Sequence, residues 1–239
     1  MEPERFFFVH LQKTAGTTLQ RRLKAVFDEV ATYPGPGDGI APDAVLLVDH
    51  LAARFAARRD EIRLVTGHFP RCTTEVLGVP FRTFTVLRDP VERTLSYLRH
   101  HRVLVPGDAD RPLEDIYEDR FRFEGLIHNH QVKMLALRPE EMTAGAMTVV
   151  RFTDEHLARA QAALEELDVV GVQEDFEGFC AGLESRFGWD LGEPHHSNRT
   201  RPVPVDDAFR ARIAADNALD VELHRFAGEL VARRGPVRP

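Results

Sequence analysis

The chain has 239 residues, of which 43% are hydrophobic and 29% charged, enough to bury one core and too evenly mixed for a disordered or low-complexity protein. With 31 Lys plus Arg against 38 Asp plus Glu the net charge is −7, so no global field draws the chain to nucleic acid or to an anionic membrane, and any anion site has to be local. Cys72 and Cys180 stand far apart without metal-ligand spacing, which argues against a disulfide framework and a structural zinc and fits a reducing, cytoplasmic compartment.

Residues 6–9 are apolar but too short a run for a signal-peptide core or a bilayer span, so neither secretion by the usual route nor stable membrane insertion is expected. Residues 6–11 read as a buried parallel strand, aromatic and β-branched and followed at once by small residues. From Thr17 onward Leu19, Leu23, Val26, Phe27 and Val30 recur at helical spacing, predicting a helix that ends before Tyr33. Residues 33–39 look like a dinucleotide fingerprint, but they do not follow a strand and their prolines remove donors a phosphate would need; they read as a loop. Leu51 and Phe55 mark a second helix, and residues 62–66 a strand ending in Gly67-His68-Phe69-Pro70.

Residues 81–87 form another expected strand. Asp89 then supplies an N-cap and Pro90 the first helical position, with Val91, Leu95 and Leu98 on the buried face. Residues 113–137 read as short helices inside a mostly helical insertion around 104–147, expected to contribute to an acceptor site. A helix over 157–167, a strand over 169–172, a helix over 176–187 and one or two closing helices over 206–234 complete the chain. The alternation predicts one α/β domain spanning 1–239: three layers, a central, mostly parallel sheet flanked by helices, and ligands at the carboxyl ends of the strands.

Between the first strand and helix lies His10-Leu11-Gln12-Lys13-Thr14-Ala15-Gly16-Thr17-Thr18-Leu19. Turn N–H groups, the free donors of a helix N-terminus, the Thr14, Thr17 and Thr18 hydroxyls and the Lys13 charge can converge there on one anion. The Walker loop needs its lysine after the second glycine; here Lys13 precedes Gly16, which lowers the case for a nucleotide triphosphatase. The competing reading is a Gly-Thr-rich turn with an incidental lysine. A second string, Val86-Leu87-Arg88-Asp89-Pro90-Val91-Glu92-Arg93-Thr94-Leu95-Ser96, puts Arg88 at a strand end and Ser96 about two helical turns on, a fork and a hydroxyl for another phosphate. Its bland counterpart is a simple helix cap with Glu92 and Arg93 on a solvated face.

Together the two strings resemble the sulfotransferase superfamily that uses 3′-phosphoadenosine 5′-phosphosulfate (PAPS), with carbohydrate-type members of the heparan sulfate 6-O- and 2-O-sulfotransferase group, sulfotransferase family 2, nearest in look. Ala15 stands where that loop has a glycine. Asn129-His130-Gln131-Val132-Lys133-Met134-Leu135 is similar to the group's Asn-x-Gln-x-Arg-Met-Leu string, with Lys133 for arginine. Ser197-Asn198-Arg199-Thr200-Arg201 is similar to its C-terminal Asn-x-Thr-Arg element. The resemblance implies a P-loop-type fold, PAPS as donor, 3′-phosphoadenosine 5′-phosphate (PAP) as product and no metal. It further implies a 5′-phosphosulfate held by Lys13, Thr14, Ala15, Gly16, Thr17 and Thr18, and a 3′-phosphate held by Arg88 and Ser96. Asn198, Thr200 and Arg201 would close over the cofactor, and Asn129, Gln131 and Lys133 would face the substrate.

Sulfuryl transfer is in-line displacement between two oxygens, so it needs charge on the leaving phosphate, for which Lys13 is the candidate, and a base for the acceptor proton. His68 is the expected base, at a strand end and resembling the Gly-His of the 2-O group; a half-buried, backbone-bonded histidine is its alternative role. His10 is the other candidate base, and could instead brace the loop. The acceptor is expected to be a small molecule or saccharide bearing a hydroxyl. The histidine pairs His100-His101, His128 with His130 and His195-His196 lack partners at ligand spacing, so no metal is expected. Trp189 is read as core, and Arg120, Arg122, Lys133 and Arg138 as either an anionic-acceptor surface or a solvated face. Two rival functions remain open: a small-molecule kinase using the same cradle for ATP, and a non-catalytic nucleotide-binding relative.

Overall fold

The computed structural model of the chain describes residues 3–39, 43–193 and 205–235. Strand β1 (Phe6–Phe8) is three phenylalanines, none more than 5% exposed. Successive strand side chains leave on opposite faces, so Phe7 enters a core with Leu51, Phe55 and Val65 while Phe6 and Phe8 enter another with Leu19, Leu23 and Phe84. Each such burial contributes about 1.5–3 kcal/mol. Helix α1 (Gly16–Leu23) follows, then β2 (Thr32–Tyr33), α2 (Asp43–Leu46), α3 (Val48–Ala57), β3 (Leu64–Val65), α4 (Thr73–Leu77), β4 (Arg82–Leu87) and α5 (Pro90–Leu104). The insertion contains α6 (Leu113–Tyr117), α7 (Arg120–Arg122), a π-helical turn (Phe123–Ile127) and α8 (His130–Ala136). The chain continues through α9 (Asp154–Glu166), β5 (Val169–Val172), α10 (Phe176–Phe187), α11 (Asp207–Asp216) and α12 (Ala218–Arg234).

The sheet runs β2-β3-β1-β4-β5, and every pairing is parallel. Helices α1 and α10 cover one face through Leu19, Leu23, Phe179 and Leu183; α3, α8, α9 and α12 cover the other through Leu51, Val132, Leu164 and Leu223. This is the expected three-layer α/β architecture. A third cluster joins Leu95 and Leu98 of α5 to Ile116, Tyr117 and Ile127 of the insertion and to Phe209 and Ile213 of α11. After β1 the chain builds β2 and β3 on one side, then crosses to β4 and β5 on the other. The order therefore reverses at β1, and the loops after β1, β3 and β4 meet at its carboxyl end, where open parallel sheets bind ligands.

Several expected boundaries are corrected. The first helix ends at Leu23, not near Val30: tight turns follow, the Asp28 carboxylate accepts from the Ala31 N–H, and Val30 is 56% exposed. That reversal feeds Thr32 and Tyr33 into the sheet as an edge strand, where the sequence suggested only loop from residue 33. The ladders of β1 and β3 are shorter than the apolar runs, because Val9–Leu11 remain buried while turning off the sheet. Trp189 packs in the core against Phe6, Phe27, Phe84 and Phe187, as expected.

Candidate active site

The loop between β1 and α1 is a strained reversal. Lys13 and Ala15 both hold a left-handed backbone, at φ 70° and 72°, a conformation costing a non-glycine residue about 1–2 kcal/mol. Thr14 between them is fully buried, and its hydroxyl donates to the Leu11 carbonyl at 2.9 Å. Left-handed Ala15 explains why a glycine would suit that position. Ala15 is also the N-cap of α1 and offers no side-chain acceptor, so no side chain of the cap engages the first-turn N–H groups, of which that of Thr18 turns back to the Ala15 carbonyl at 3.0 Å. Gly16 is required by packing: a Cβ there would lie 1.7 Å from His10 Nε2. Thr17 is exposed and Thr18 half-buried at this helix start.

Three cations surround the loop. Arg88, the last residue before α5's cap, donates from Nη1 to the Lys13 carbonyl at 3.0 Å, so the two residues are direct neighbours. Gln131 fixes the Arg88 backbone from both sides, accepting from its N–H at 3.1 Å and donating to its carbonyl at 2.8 Å. Asp89 caps α5 by accepting from Glu92 N–H, with Pro90 at the first position, as the sequence indicates; Ser96 is half-buried further along that helix. Arg93 is not on a solvated face but has no exposed surface, its Nε donating to the Gln12 carbonyl at 3.1 Å. Burial lowers the Lys13 pKa, and Arg88 and Arg93 lower it further. Arg88 Nε and Arg93 Nη1 are buried without a partner. Unpaired donors, an uncapped helix start and a lysine weakened by its neighbours fit a multiply charged anion.

His68 reaches His10 and the start of this loop from the loop after β3, its N–H donating to the Val45 carbonyl at 2.8 Å. Its Nδ1 lies 3.0 Å from the His10 carbonyl, which can only accept, so Nδ1 carries the proton and Nε2 the lone pair. Burial, with Lys13 and Arg93 behind it, pushes His68 down to about 4, leaving it neutral. His10 stacks on Phe8 at 4.8 Å and sits 4.3 Å from the His68 ring, its Nε2 against Gly16 and its buried Nδ1 without a partner. This geometry favours the bracing role for His10.

Asn129, Gln131 and Lys133, expected to face the substrate, are buried and bonded within the fold, which corrects that expectation. Asn129, left-handed at φ 43°, accepts from the Leu219 and Asp220 N–H groups at the start of α12. Asp220 in return accepts from the Gln131 and Val132 N–H groups at the start of α8, so the two helices cap each other. Lys133 Nζ donates to the Gly125 carbonyl, and burial pushes its pKa down to about 7. The other basic residues of that region are paired: Arg120 with Glu124, Arg122 with Asp119 and Arg138 with Glu155. Asn198, Thr200 and Arg201 lie outside the described residues. Among the described residues no three His, Cys, Asp or Glu side chains gather as a metal set.

Sequence reasoning missed Arg93. Its signal was helical spacing: Pro90, Arg93, Thr94, Tyr97, Leu98 and His101 form a buried stripe at intervals of three and four, which the expected face of Val91, Leu95 and Leu98 only partly overlapped.

The buried imidazoles carry a pH signature. His10, His68 and His130 all have pKa values lowered by burial below the ordinary value near 6.5. The unfolded chain then binds more protons, so their stabilisation is complete above pH ~6.5 and is lost as pH falls toward 4. Asp220, raised to about 6 by burial, works in the opposite sense over pH ~4–6, but it is one group against three. Thermal unfolding is expected to show a falling Tm between pH 6.5 and 4.5, with a shallower slope in His130→Leu, whose two ring nitrogens have no partner to lose. A flat profile, or an unchanged slope in the variant, contradicts this.

The fold and site together define an α/β protein with three neighbouring cations, Lys13, Arg88 and Arg93, at the carboxyl edge of a parallel sheet. No protein-family model matches the chain, and no curated protein matches it. Among solved structures it is similar to the crystal structure of a sulfotransferase from Alicyclobacillus acidocaldarius, with 14% identity and a TM-score of 0.48 over 94% of this chain and 95% of that one. A likeness of that depth assigns this chain no chemistry.

Proposed function

We propose that the chain is a sulfotransferase that moves a sulfuryl group from PAPS to a hydroxyl of a small-molecule or saccharide acceptor, a carbohydrate or glycoside in the reading from its motifs. The observation that supports this is the hydrogen bond from Arg88 to the Lys13 carbonyl, because the reading requires cations for both ends of a doubly phosphorylated adenosine close together. Lys13, Thr14, Ala15, Gly16, Thr17 and Thr18 would hold the 5′-phosphosulfate, and Arg88 and Ser96 the 3′-phosphate.

Lys13 offsets charge on the leaving phosphate oxygen, and the α1 N-terminus stabilises the same charge. The acceptor oxygen forms its bond to sulfur as the sulfur–phosphate oxygen bond breaks, and the acceptor proton passes to His68 Nε2. A bound dianion offsets Lys13 and Arg93, two of the groups that depress His68, and so moves that nitrogen toward an effective base. A reducing cytoplasm belongs to the proposal: Cys72 and Cys180 are both free and buried. Among the described residues no helix is long and apolar enough to cross a membrane.

Calorimetric and thermal-shift titration of PAP against magnesium-ATP tests the donor half without an acceptor. PAP at a hundred times its Kd is expected to raise Tm by roughly 5–10 °C, and ATP to bind more weakly because it has no 3′-phosphate for Arg88. Preference for ATP would assign the cradle to a small-molecule kinase, and PAP binding without transfer to a range of hydroxyl acceptors would favour a non-catalytic relative.

A further inference from the structure

Arg93 has no exposed surface, yet among the described residues its hydrogen bonds go to backbone carbonyls and to no carboxylate. Its Nε donates to the Gln12 carbonyl at 3.1 Å, Nη2 to the Leu126 carbonyl, and Nη1 to nothing. Asp220 is the carboxylate whose charge acts on it, and that group is already engaged by two helix N–H donors. A desolvated guanidinium without an ion-pair partner is costly to bury, which makes its geometry informative.

Both of its carbonyl partners belong to backbone that must be held in place: Gln12 precedes left-handed Lys13, and Leu126 lies in the π-helical turn. A trans peptide points its C=O and the following N–H in opposite directions. Drawing the Gln12 carbonyl toward Arg93 therefore turns the Lys13 N–H away from the guanidinium, on the side left to a ligand. Arg88 acts likewise on the next peptide: holding the Lys13 carbonyl turns the Thr14 N–H away from Arg88. Without these two anchors either carbonyl could swing into the cradle and repel an anion.

We infer that Arg93 is a positioning residue of the anion loop, fixing the Gln12–Lys13 peptide with its N–H presented to the ligand and placing a buried positive charge beneath the site. This rests on reading the loop as an anion site, though not on the anion being PAPS. Two facts agree with it: Arg93 depresses Lys13, and it is itself pushed down to about 10 by burial. A cation that served only to hold the fold together would gain nothing from standing beside two others.

The test compares the full chain with Arg93→Met and Arg93→Lys, by calorimetry with inorganic pyrophosphate and with PAP, and by ligand-free thermal unfolding. Arg93→Met is expected to weaken both ligands about ten-fold or more, the value of one charge-assisted hydrogen bond, while ligand-free Tm stays level or rises. The Lys13 amide resonance, shifted by pyrophosphate in the unaltered chain, should stay in place in the variant. Arg93→Lys keeps the charge but cannot hold two carbonyls with a planar fork, so it should also lose affinity, by less. Undiminished affinity with a lowered Tm in Arg93→Met would mark a purely structural residue and overturn the inference; if that variant does not fold, full affinity in Arg93→Lys overturns it equally. An unaltered chain that binds pyrophosphate but not PAP counts against the PAPS reading alone, and one that binds neither removes both.

Discussion

His68→Gln is expected to lower kcat by roughly 10²–10⁴-fold, the range for a lost general base, and to leave the Kd for PAP within about two-fold. The split follows from the tautomer. His68 donates a hydrogen bond from Nδ1–H to the His10 carbonyl, a bond a glutamine amide can imitate, so the loop stays braced. What glutamine cannot do is accept a proton where Nε2 carried its lone pair. His10 is poorly placed to substitute, with its Nε2 against Gly16 and its Nδ1 buried. The acid limb of kcat/KM in the unaltered enzyme should lie below pH 6.5, because burial holds His68 near 4 in the free protein. Single-turnover rates with PAPS and PAP calorimetry check both halves; full activity in His68→Gln would remove His68 as the base.

The parts of this site legible in the sequence are those fixed by local chemistry. A phenylalanine triplet followed by a Gly-Thr turn could only be a buried strand entering a helix, and Asp89-Pro90 marked the start of α5 through cap and φ preference alone. The limits of α10 fell where periodicity put them, because its apolar face runs its whole length. What escaped depends on distant partners. The two-residue β2 has no period to detect and exists because β3 offers it an edge. Asn129 and Gln131 read as ligand-facing polar residues, yet one caps a helix some ninety positions later and the other clamps Arg88, and nothing local announces either. Arg93 escaped because an arginine on a helix is usually solvated, and only the loop folded above it makes burial tolerable.

Lys13→Met is expected to reduce kcat by roughly 10²–10³-fold, as for loss of one preorganised charge on a developing anion, while ligand-free stability holds or rises. The two effects share a cause. Lys13, Arg88 and Arg93 crowd one loop, and the first is lowered by burial and then by both arginines, so the free protein carries repulsion on Lys13 there. Methionine keeps the aliphatic length and the same backbone requirement at φ 70°, and removes only the charge. An active site preorganised for an anion it does not yet hold is destabilised by that preparation, which is the usual form of a trade between stability and activity. Because the reaction needs charge on the leaving oxygen more than in the ground state, kcat should fall further than PAP affinity. Equal losses in both would make Lys13 a binding residue only. A lowered Tm with intact turnover would remove it from the chemistry and turn attention to Arg88, Arg93 and the α1 N-terminus as sources of positive potential at the transferring group.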